Sequence, residues 1–162
     1  MSEKAGSLER AAHLLRAAYQ KQMEGDFVSA IELYEASLAE HQSAEAHTFL
    51  GWTYSSLGRY DDAIEECKQA IQVDPDFGNP YNDIGSYLVH LGKVEEAIPW
   101  LEKAKKAPRY EPRHFPYINL GRIYMNMGKP IEAAREFEQA TFLQNSMENI
   151  DLGDEDAEAT LH

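Results

Sequence analysis

The sequence predicts an all-α protein, an α-α superhelix (solenoid) of four stacked helical hairpins. Apolar residues recur at helical spacing through most of the 162 residues. Four glycines follow one another at intervals of 33, 34 and 36 residues, and small residues stand seven positions before and five positions after each glycine. Agreement of several columns across four copies is typical of a repeat protein, in which each hairpin packs on its neighbours. The turn glycines are Gly25, Gly58, Gly92 and Gly128, with Ala18, Gly51, Gly85 and Gly121 before them and Ala30, Ala63, Ala97 and Ala133 after them.

The most regular hairpin covers residues 44–77. Gly58 ends its first helix, because glycine adopts the left-handed conformation of a helix C-cap without a Cβ penalty. Pro75 pushes the residue before it out of the helical region, which ends the second helix. Gly51 and Ala63 are small where the two helices cross, so the spacing predicts a close approach of the two backbones.

The predicted repeat domain covers residues 7–144, with Ser7 as the N-cap of the first helix and residues 1–6 as a mobile leader. The third copy carries two extra residues in the segment 107–113, which two prolines make stiff and extended. The four copies are predicted at residues 11–43, 44–77, 78–113 and 114–147.

The segment 145–162 contains six acidic residues and no Lys or Arg. One interpretation is a solvated, disordered acidic tail. The other is a segment that folds back as a partial cap, with Met147, Ile150 and Leu152 covering the end of the last helix. A second copy of the protein could also cover that end, around Phe142.

The charge balance excludes some classes of partner. A net charge of −13 repels phosphate, so no nucleic-acid binding is expected. The one basic cluster lies at a predicted helix end, where cations suit the helix dipole; the alternative interpretation is a docking patch for an acidic partner. The cluster consists of Lys103, Lys105, Lys106 and Arg109.

No apolar run is long enough to span a membrane, and the N-terminus lacks an apolar signal region, which predicts a cytoplasmic protein with no membrane partner.

The absence of reactive or metal-binding motifs predicts no enzyme, no cofactor and no metal site. No pair of the six histidines has a metal-ligand spacing on a helix with a carboxylate between. The single cysteine, Cys67, falls in a packing column and has no nucleophile–base partner nearby. The glycines occur at repeat spacing and do not form a phosphate-binding loop.

The pattern of packing residues resembles the tetratricopeptide repeat, over roughly residues 11–147. This family pattern is specific for the fold and not for one function. The resemblance implies a concave groove lined by the first helix of each pair. In the second copy the matching residues are His47, Leu50, Gly51, Tyr54, Gly58, Ala63, Cys67, Ala70 and Pro75, and in the fourth Tyr117, Leu120, Gly121, Tyr124, Gly128, Ala133, Phe137 and Ala140.

The resemblance also assigns residues to this peptide-binding groove. Trp52 lies off the face that packs on the second helix, so it either lines the groove or is wedged between adjacent hairpins. The predicted groove is aromatic and polar, with Arg122 as its main cation. The predicted groove residues are Leu15, Tyr19, Gln22, Thr48, Trp52, Ser55, Asn82, Ser86, Val89, Phe115, Ile118, Arg122 and Met125.

Chaperone-binding members of the family hold a ligand carboxylate with Lys, Arg and Asn. At the matching positions only Asn79 carries an amide, and Asp83 has the wrong sign for a carboxylate ligand. The sequence departs from that subgroup, and binding of a chaperone tail in that manner is not expected. The matching positions are Leu15, Tyr19, Phe49, Asn79 and Asp83.

The predicted function is a non-catalytic protein–protein interaction module, an adaptor or scaffold that holds a peptide segment of a partner in the groove. The acidic field favours a basic or apolar peptide. The first alternative is structural self-assembly, as a weak homo-oligomer that stacks through the fourth repeat. The second is a co-chaperone or regulatory subunit of a larger complex.

Overall fold

The computed structural model describes the backbone of residues 2–159 and the side chains of residues 2–148. The described part of the chain forms eight helices, and consecutive helices pack in pairs as α1 with α2, α3 with α4, α5 with α6, and α7 with α8. The predicted all-α fold of helical hairpins is therefore confirmed. The helices are α1 (Ser2–Met23), α2 (Phe27–Glu40), α3 (Ala44–Ser56), α4 (Tyr60–Val73), α5 (Asn79–His90), α6 (Val94–Lys106), α7 (Phe115–Asn126) and α8 (Pro130–Ala159).

The turns inside the hairpins depend on glycine, as the spacing predicts. All four turn glycines have positive φ, from 72° at Gly128 to 81° at Gly25. In the second hairpin the Arg59 N–H donates to the Tyr54 carbonyl at 2.9 Å and so satisfies an acceptor at the end of α3. A residue with a Cβ would be strained at this backbone conformation.

Small residues bring the two helices of each hairpin together. A Cβ placed on Gly51 would lie 3.0 Å from the carbonyl oxygen of Ala63, which is fully buried. A Cβ on Gly85 would lie 2.6 Å from the side chain of Leu101, which is also fully buried. The predicted close crossing of the backbones is therefore confirmed, and a larger side chain at these positions would force the helices apart.

The chain divides into two units, Met1–Tyr110 with α1 to α6 and Glu111–His162 with α7 and α8. The boundary lies inside the predicted insertion of the third copy, at 107–113. In unit 1, α2 packs on α3 and α4 packs on α5, so each hairpin covers part of the next one.

The start of this insertion is paired with the connection between α4 and α5. The Gly78 N–H donates to the Arg109 carbonyl at 2.8 Å, and the Arg109 N–H donates to the Asp76 carbonyl at 3.1 Å. Gly78 permits this contact because a Cβ there would lie 2.6 Å from the Cβ of Tyr110. The extended segment is thus fixed against unit 1 by backbone hydrogen bonds.

The helix boundaries differ from the prediction at both ends of the chain. α1 begins at Ser2 and not after Ser7, because the Ser7 hydroxyl donates to the Glu40 carbonyl at 2.5 Å instead of capping α1. α8 continues to Ala159, through the predicted tail, because residues 145–159 contain no proline to end the helix. Residues 2–6 of the predicted leader are therefore part of α1, and Met1 lies outside the described residues. Residues 160–162 and the side chains of Ile150 and Leu152 also lie outside them, so the predicted cap stays a prediction.

We expect Gly85→Ala to lower the stability of unit 1, because the new Cβ would overlap the buried Leu101 side chain. Overpacking of this kind costs about 1–3 kcal/mol, and the gain of about 1 kcal/mol in helix propensity offsets only part of it. Chemical denaturation monitored by circular dichroism measures the change. Gly6→Ala is the matched control, since the nearest atom to its Cβ is the flexible end of Arg10. Equal midpoints for the two variants would contradict the tight crossing.

Candidate interaction surface

The first helices of the three hairpins in unit 1 lie side by side, with α1 in contact with α3 and α3 in contact with α5. These helices leave a set of the predicted groove residues exposed or half-buried. We call this set the first-helix face; it consists of Leu15, Tyr19, Trp52, Ser55, Ser86 and Val89.

Four aromatic rings form a cluster at one end of the first-helix face. The Phe49 ring stacks on the buried Tyr34 ring of α2, with centroids 6.2 Å apart and an interplanar angle of 14°. Tyr19 meets Phe49 edge-on at 5.5 Å, and Trp52 lies 6.5 Å from Phe49. Tyr19 and Trp52 are 42% and 43% exposed. Two rings are therefore presented to solvent and are supported from below by two others.

Three polar residues predicted for the groove are buried in the structure. Gln22 accepts a hydrogen bond from the Tyr34 hydroxyl at 2.5 Å, and burial raises the pKa of Tyr34. The Thr48 hydroxyl donates to the Ala44 carbonyl at 2.7 Å, within its own helix. Asn82 is buried too. Because these three polar side chains are buried, the exposed part of the face is more apolar than the sequence predicts.

Asp83 lies on α5, which also carries Ser86 and Val89 of the face. Burial raises the pKa of its carboxyl group from the ordinary 3.8 to about 7, and a hydrogen bond from the Asn82 side chain opposes this shift. The nearby Cys67 thiol is fully buried, and its pKa is raised well above its usual value by the same desolvation. A thiol in this state is a core side chain and not a nucleophile.

The four remaining predicted residues lie on α7, in unit 2. Phe115 and Met125 are 44% and 54% exposed, Arg122 is exposed, and Ile118 is half-buried. Unit 2 therefore presents its own apolar surface with one cation.

The sequence did not identify two features of unit 1. The first is Phe49, whose position three residues before Trp52 indicates a pair of aromatic residues on one side of a helix. The second is Trp100, which Lys103 follows three positions later in the sequence. The Lys103 ammonium lies 4.7 Å from the centre of the Trp100 ring.

Two further features bear on the class of protein. Within residues 2–148, where side chains are described, no group of three or more His, Cys, Asp or Glu residues is placed to hold a metal ion. None of the described helices is both long enough and apolar enough to cross a lipid bilayer.

Comparison with known protein families identifies three of the hairpins. Profiles described as "Tetratricopeptide repeat" match residues 44–77, 79–109 and 116–146. The chain belongs to the tetratricopeptide repeat family. Tetratricopeptide repeats (TPRs) are in general non-catalytic scaffolds for protein–protein interaction.

The chain aligns with only part of each of its curated TPR relatives. The small glutamine-rich tetratricopeptide repeat-containing protein 2 of Mycosarcoma maydis is 31% identical over 94 residues, which is 57% of this chain and 27% of that protein. The type IV pilus assembly protein PilF of Pseudomonas aeruginosa is 27% identical over 122 residues, 75% of this chain and 48% of that protein. The chain thus spans about half of these relatives or less.

Solved TPR structures share the fold. The structure of Pseudomonas aeruginosa PilF superimposes with a TM-score of 0.79 at 25% identity, over 86% of this chain and 64% of that one. The crystal structure of MamA gives a TM-score of 0.74 at 23% identity, over 86% and 81% of the two chains. At this level of identity the MamA match concerns the fold alone.

We expect Asp83→Asn to stabilise the protein more at pH 8 than at pH 5. A carboxyl group whose pKa rises from 3.8 to about 7 on folding favours the folded state below about pH 4, and this contribution is lost as the pH rises through about 7. Asparagine cannot ionise and avoids the loss. Thermal melts at both pH values measure the difference.

Asp61→Asn is the matched control, because it removes an exposed carboxylate from the start of α4 in the same unit. If Asp83→Asn changed the melting temperature by the same amount at pH 5 and pH 8, the burial of a titrating Asp83 would be contradicted.

Proposed function

We propose that this TPR protein is a non-catalytic adaptor that binds a peptide segment of a partner protein on the first-helix face of unit 1. The observation that carries the proposal is the pair of exposed rings, Tyr19 and Trp52, which are held in place by contacts with Phe49. Aromatic side chains are the usual anchors of recognition surfaces.

The packing of the cluster favours binding energetically. A ring that is already packed on one side loses little conformational freedom when a ligand covers its other side. Phe49 contacts both exposed rings and is itself stacked on Tyr34, so the four rings support one another. A bound apolar side chain that covers part of Tyr19 and Trp52 would contribute about 25 cal/mol for each Å² of apolar surface removed from water.

The chemistry of the face indicates the kind of peptide. Besides the two rings it offers Leu15 and Val89 and the hydroxyl groups of Ser55 and Ser86. The chain carries a net charge of −13, which attracts a basic segment at long range and raises the rate of encounter. We therefore expect an apolar anchor flanked by basic residues in the partner.

A chaperone tail is not the expected ligand. A TPR domain of the same fold, the second TPR of Spaghetti (RPAP3), has been solved bound to the HSP90 peptide SRMEEVD, with a TM-score of 0.62 at 22% identity. That peptide is acidic at its end. The chaperone-binding subgroup holds such a carboxylate with Lys, Arg and Asn, whereas the matching positions of this chain include Leu15 and Tyr19, and Asp83 would repel a carboxylate while it is ionised.

The proposal is tested with a phage-displayed library of random peptides of about twelve residues, selected on the purified protein. We expect the recovered peptides to be apolar and basic, and to bind Trp52→Ala at least tenfold more weakly, which corresponds to about 1.4 kcal/mol. Titration calorimetry with synthetic copies of the peptides measures the affinity. Circular dichroism checks that the variant is folded.

Trp100→Ala is the matched control, because Trp100 lies on α6 and makes no ring contact with the Tyr19–Phe49–Trp52 cluster among the described residues. Failure to recover any apolar and basic peptide, or recovery only of apolar and basic peptides that bind Trp52→Ala with unchanged affinity, would contradict binding on this face. Arg122→Ala tests the separate surface of α7 in unit 2.

A second candidate function is self-association through α8, in which copies assemble through the last repeat. Ile131 and Phe142 are 67% and 65% exposed. They are eleven residues apart, about three helical turns, and so lie on the same side of α8. The exposed Arg135 and Glu138 lie between them on that side, so Ile131 and Phe142 are two separate apolar side chains, each of which can contact an apolar surface of another copy.

If this second function is correct, Phe142→Asp should convert an associating chain to a monomer, because it replaces an exposed apolar side chain of α8 with a charge. Sedimentation velocity over a hundredfold range of concentration measures the effect. Thr141→Asp, at the neighbouring exposed position, is the control and should leave association unchanged. A native chain that is monomeric at all concentrations would exclude self-association.

A further inference from the structure

A second concave surface of unit 1 lies beside the end of α6. It is a cavity of about 370 Å³ that is bounded by residues of α4, α5, α6 and the segment after α6. Its walls are mainly apolar, and two ammonium groups stand at its edge. The lining includes Ile71, Tyr81, Trp100, Lys103, Lys106 and Pro108, and we call it the Trp100 surface.

Two aromatic rings form one wall of the Trp100 surface. Tyr81 and Trp100 have ring centroids 6.2 Å apart at an angle of 37°. The Tyr81 hydroxyl donates to the Pro75 carbonyl at 2.9 Å, which fixes the orientation of the ring. Both rings are half-buried, so each keeps a free apolar edge. The wall can therefore contact an aliphatic or aromatic side chain without first being reorganised.

The base of the surface is held by the pairing of the two loops. Backbone hydrogen bonds join Gly78 and Asp76 to Arg109, and the Arg109 guanidinium forms an ion pair with Asp74. The guanidinium also lies over the Phe77 ring, 5.6 Å from its centre. Arg109 therefore holds the fold together and does not supply a free charge.

The basic cluster of the sequence separates into two kinds of cation. Lys105 pairs with Glu102 at 3.2 Å, and Arg109 pairs with Asp74. Lys103 and Lys106 are exposed, and neither forms an ion pair within the part of the chain whose side chains are described. Other exposed lysines, such as Lys68 and Lys93, also form no ion pair among the described side chains, but Lys103 and Lys106 differ from them because they line a mainly apolar cavity.

We propose that the Trp100 surface binds an acidic peptide segment of a partner protein. An aliphatic or aromatic side chain of the segment enters the cavity beside Tyr81 and Trp100, and carboxylates on either side of it contact Lys103 and Lys106. An inorganic anion alone fits less well, because the cavity walls are apolar and the carbonyl end of α6 carries a partial negative charge. A peptide places its charges at the tips of the lysine side chains and its apolar group inside.

The Trp100 surface is separate from the first-helix face and favours a peptide of the opposite charge. The first-helix face favours a basic or apolar segment, whereas the Trp100 surface favours an acidic one. Each surface contains one of the two tryptophans of the chain. The two binding events can therefore be observed independently.

The test uses Trp52→Phe, in which Trp100 is the only tryptophan. The probes are capped synthetic peptides of the form Glu-Glu-X-Glu-Glu, with X as Leu, Met or Phe, at low salt. We expect a saturable change in tryptophan fluorescence with at least one probe. The same peptide with Gln in place of each Glu should bind at least tenfold more weakly, and binding should weaken as salt rises because the charges are screened.

The charge-reversed chain Lys103→Glu/Lys106→Glu, in the same background, should also lose at least tenfold in affinity. Lys4→Glu/Lys93→Glu is the matched control: it makes the same change in net charge at two exposed lysines outside the cavity lining. Circular dichroism confirms that both chains are folded. Loss of affinity in the first chain alone supports the proposal.

Three results would overturn it. They are the absence of saturable binding by every probe, binding that survives reversal of Lys103 and Lys106, and equal loss in the control chain. A probe that alters the fluorescence of Trp52 in Trp100→Phe, but not that of Trp100 in Trp52→Phe, would show that acidic peptides bind the first-helix face instead. That last result would leave peptide binding by the first-helix face intact.

Discussion

The structure depends on positions where one helix of a hairpin has no side chain against its partner. A Cβ on Gly121 would lie 2.5 Å from the Phe137 ring, and the same overlap occurs between Gly85 and Leu101. This contact fixes the rotation of the first helix about its axis. The next residue is turned by about 100° and leaves the packed face. Trp52 and Arg122 occupy that next position, so the constraint that closes each hairpin also exposes the side chain suited to recognition.

Packing between hairpins is less constrained than packing within them. Where the first two hairpins meet, Phe49 stacks on Tyr34 and supports the exposed rings. At the corresponding position between the second and third hairpins, Asp83 lies near the buried thiol of Cys67. The fold tolerates both pairs, but they have different consequences. The aromatic pair builds a firm apolar surface, whereas the second pair leaves a carboxyl group whose pKa is about 7.

The sequence was sufficient for the parts of the fold that repeat. The four turn glycines and the small residues at the crossings have one physical role each, so their spacing predicts the hairpins directly. The start of α1 could not be predicted, because Ser7 resembles an N-cap but bonds to Glu40, which is distant in sequence. Burial of Gln22 and Thr48 was missed for a related reason. Periodicity assigns a side of the helix, but it does not show whether a polar side chain finds a partner beneath the surface.

The two proposed surfaces can coexist on one acidic unit because charge acts over a limited distance. At physiological ionic strength the screening length is about 8 Å, so the charge of the whole chain steers a partner from afar but does not decide which face it contacts. Near the cavity, Lys103 and Lys106 make the local electrostatic potential positive. On the first-helix face no described cation does so, and Tyr19 and Trp52 provide the contact area. An adaptor needs two sites that do not compete for one ligand. The first-helix face and the Trp100 surface would meet that need, because both present aromatic rings but favour peptides of opposite charge.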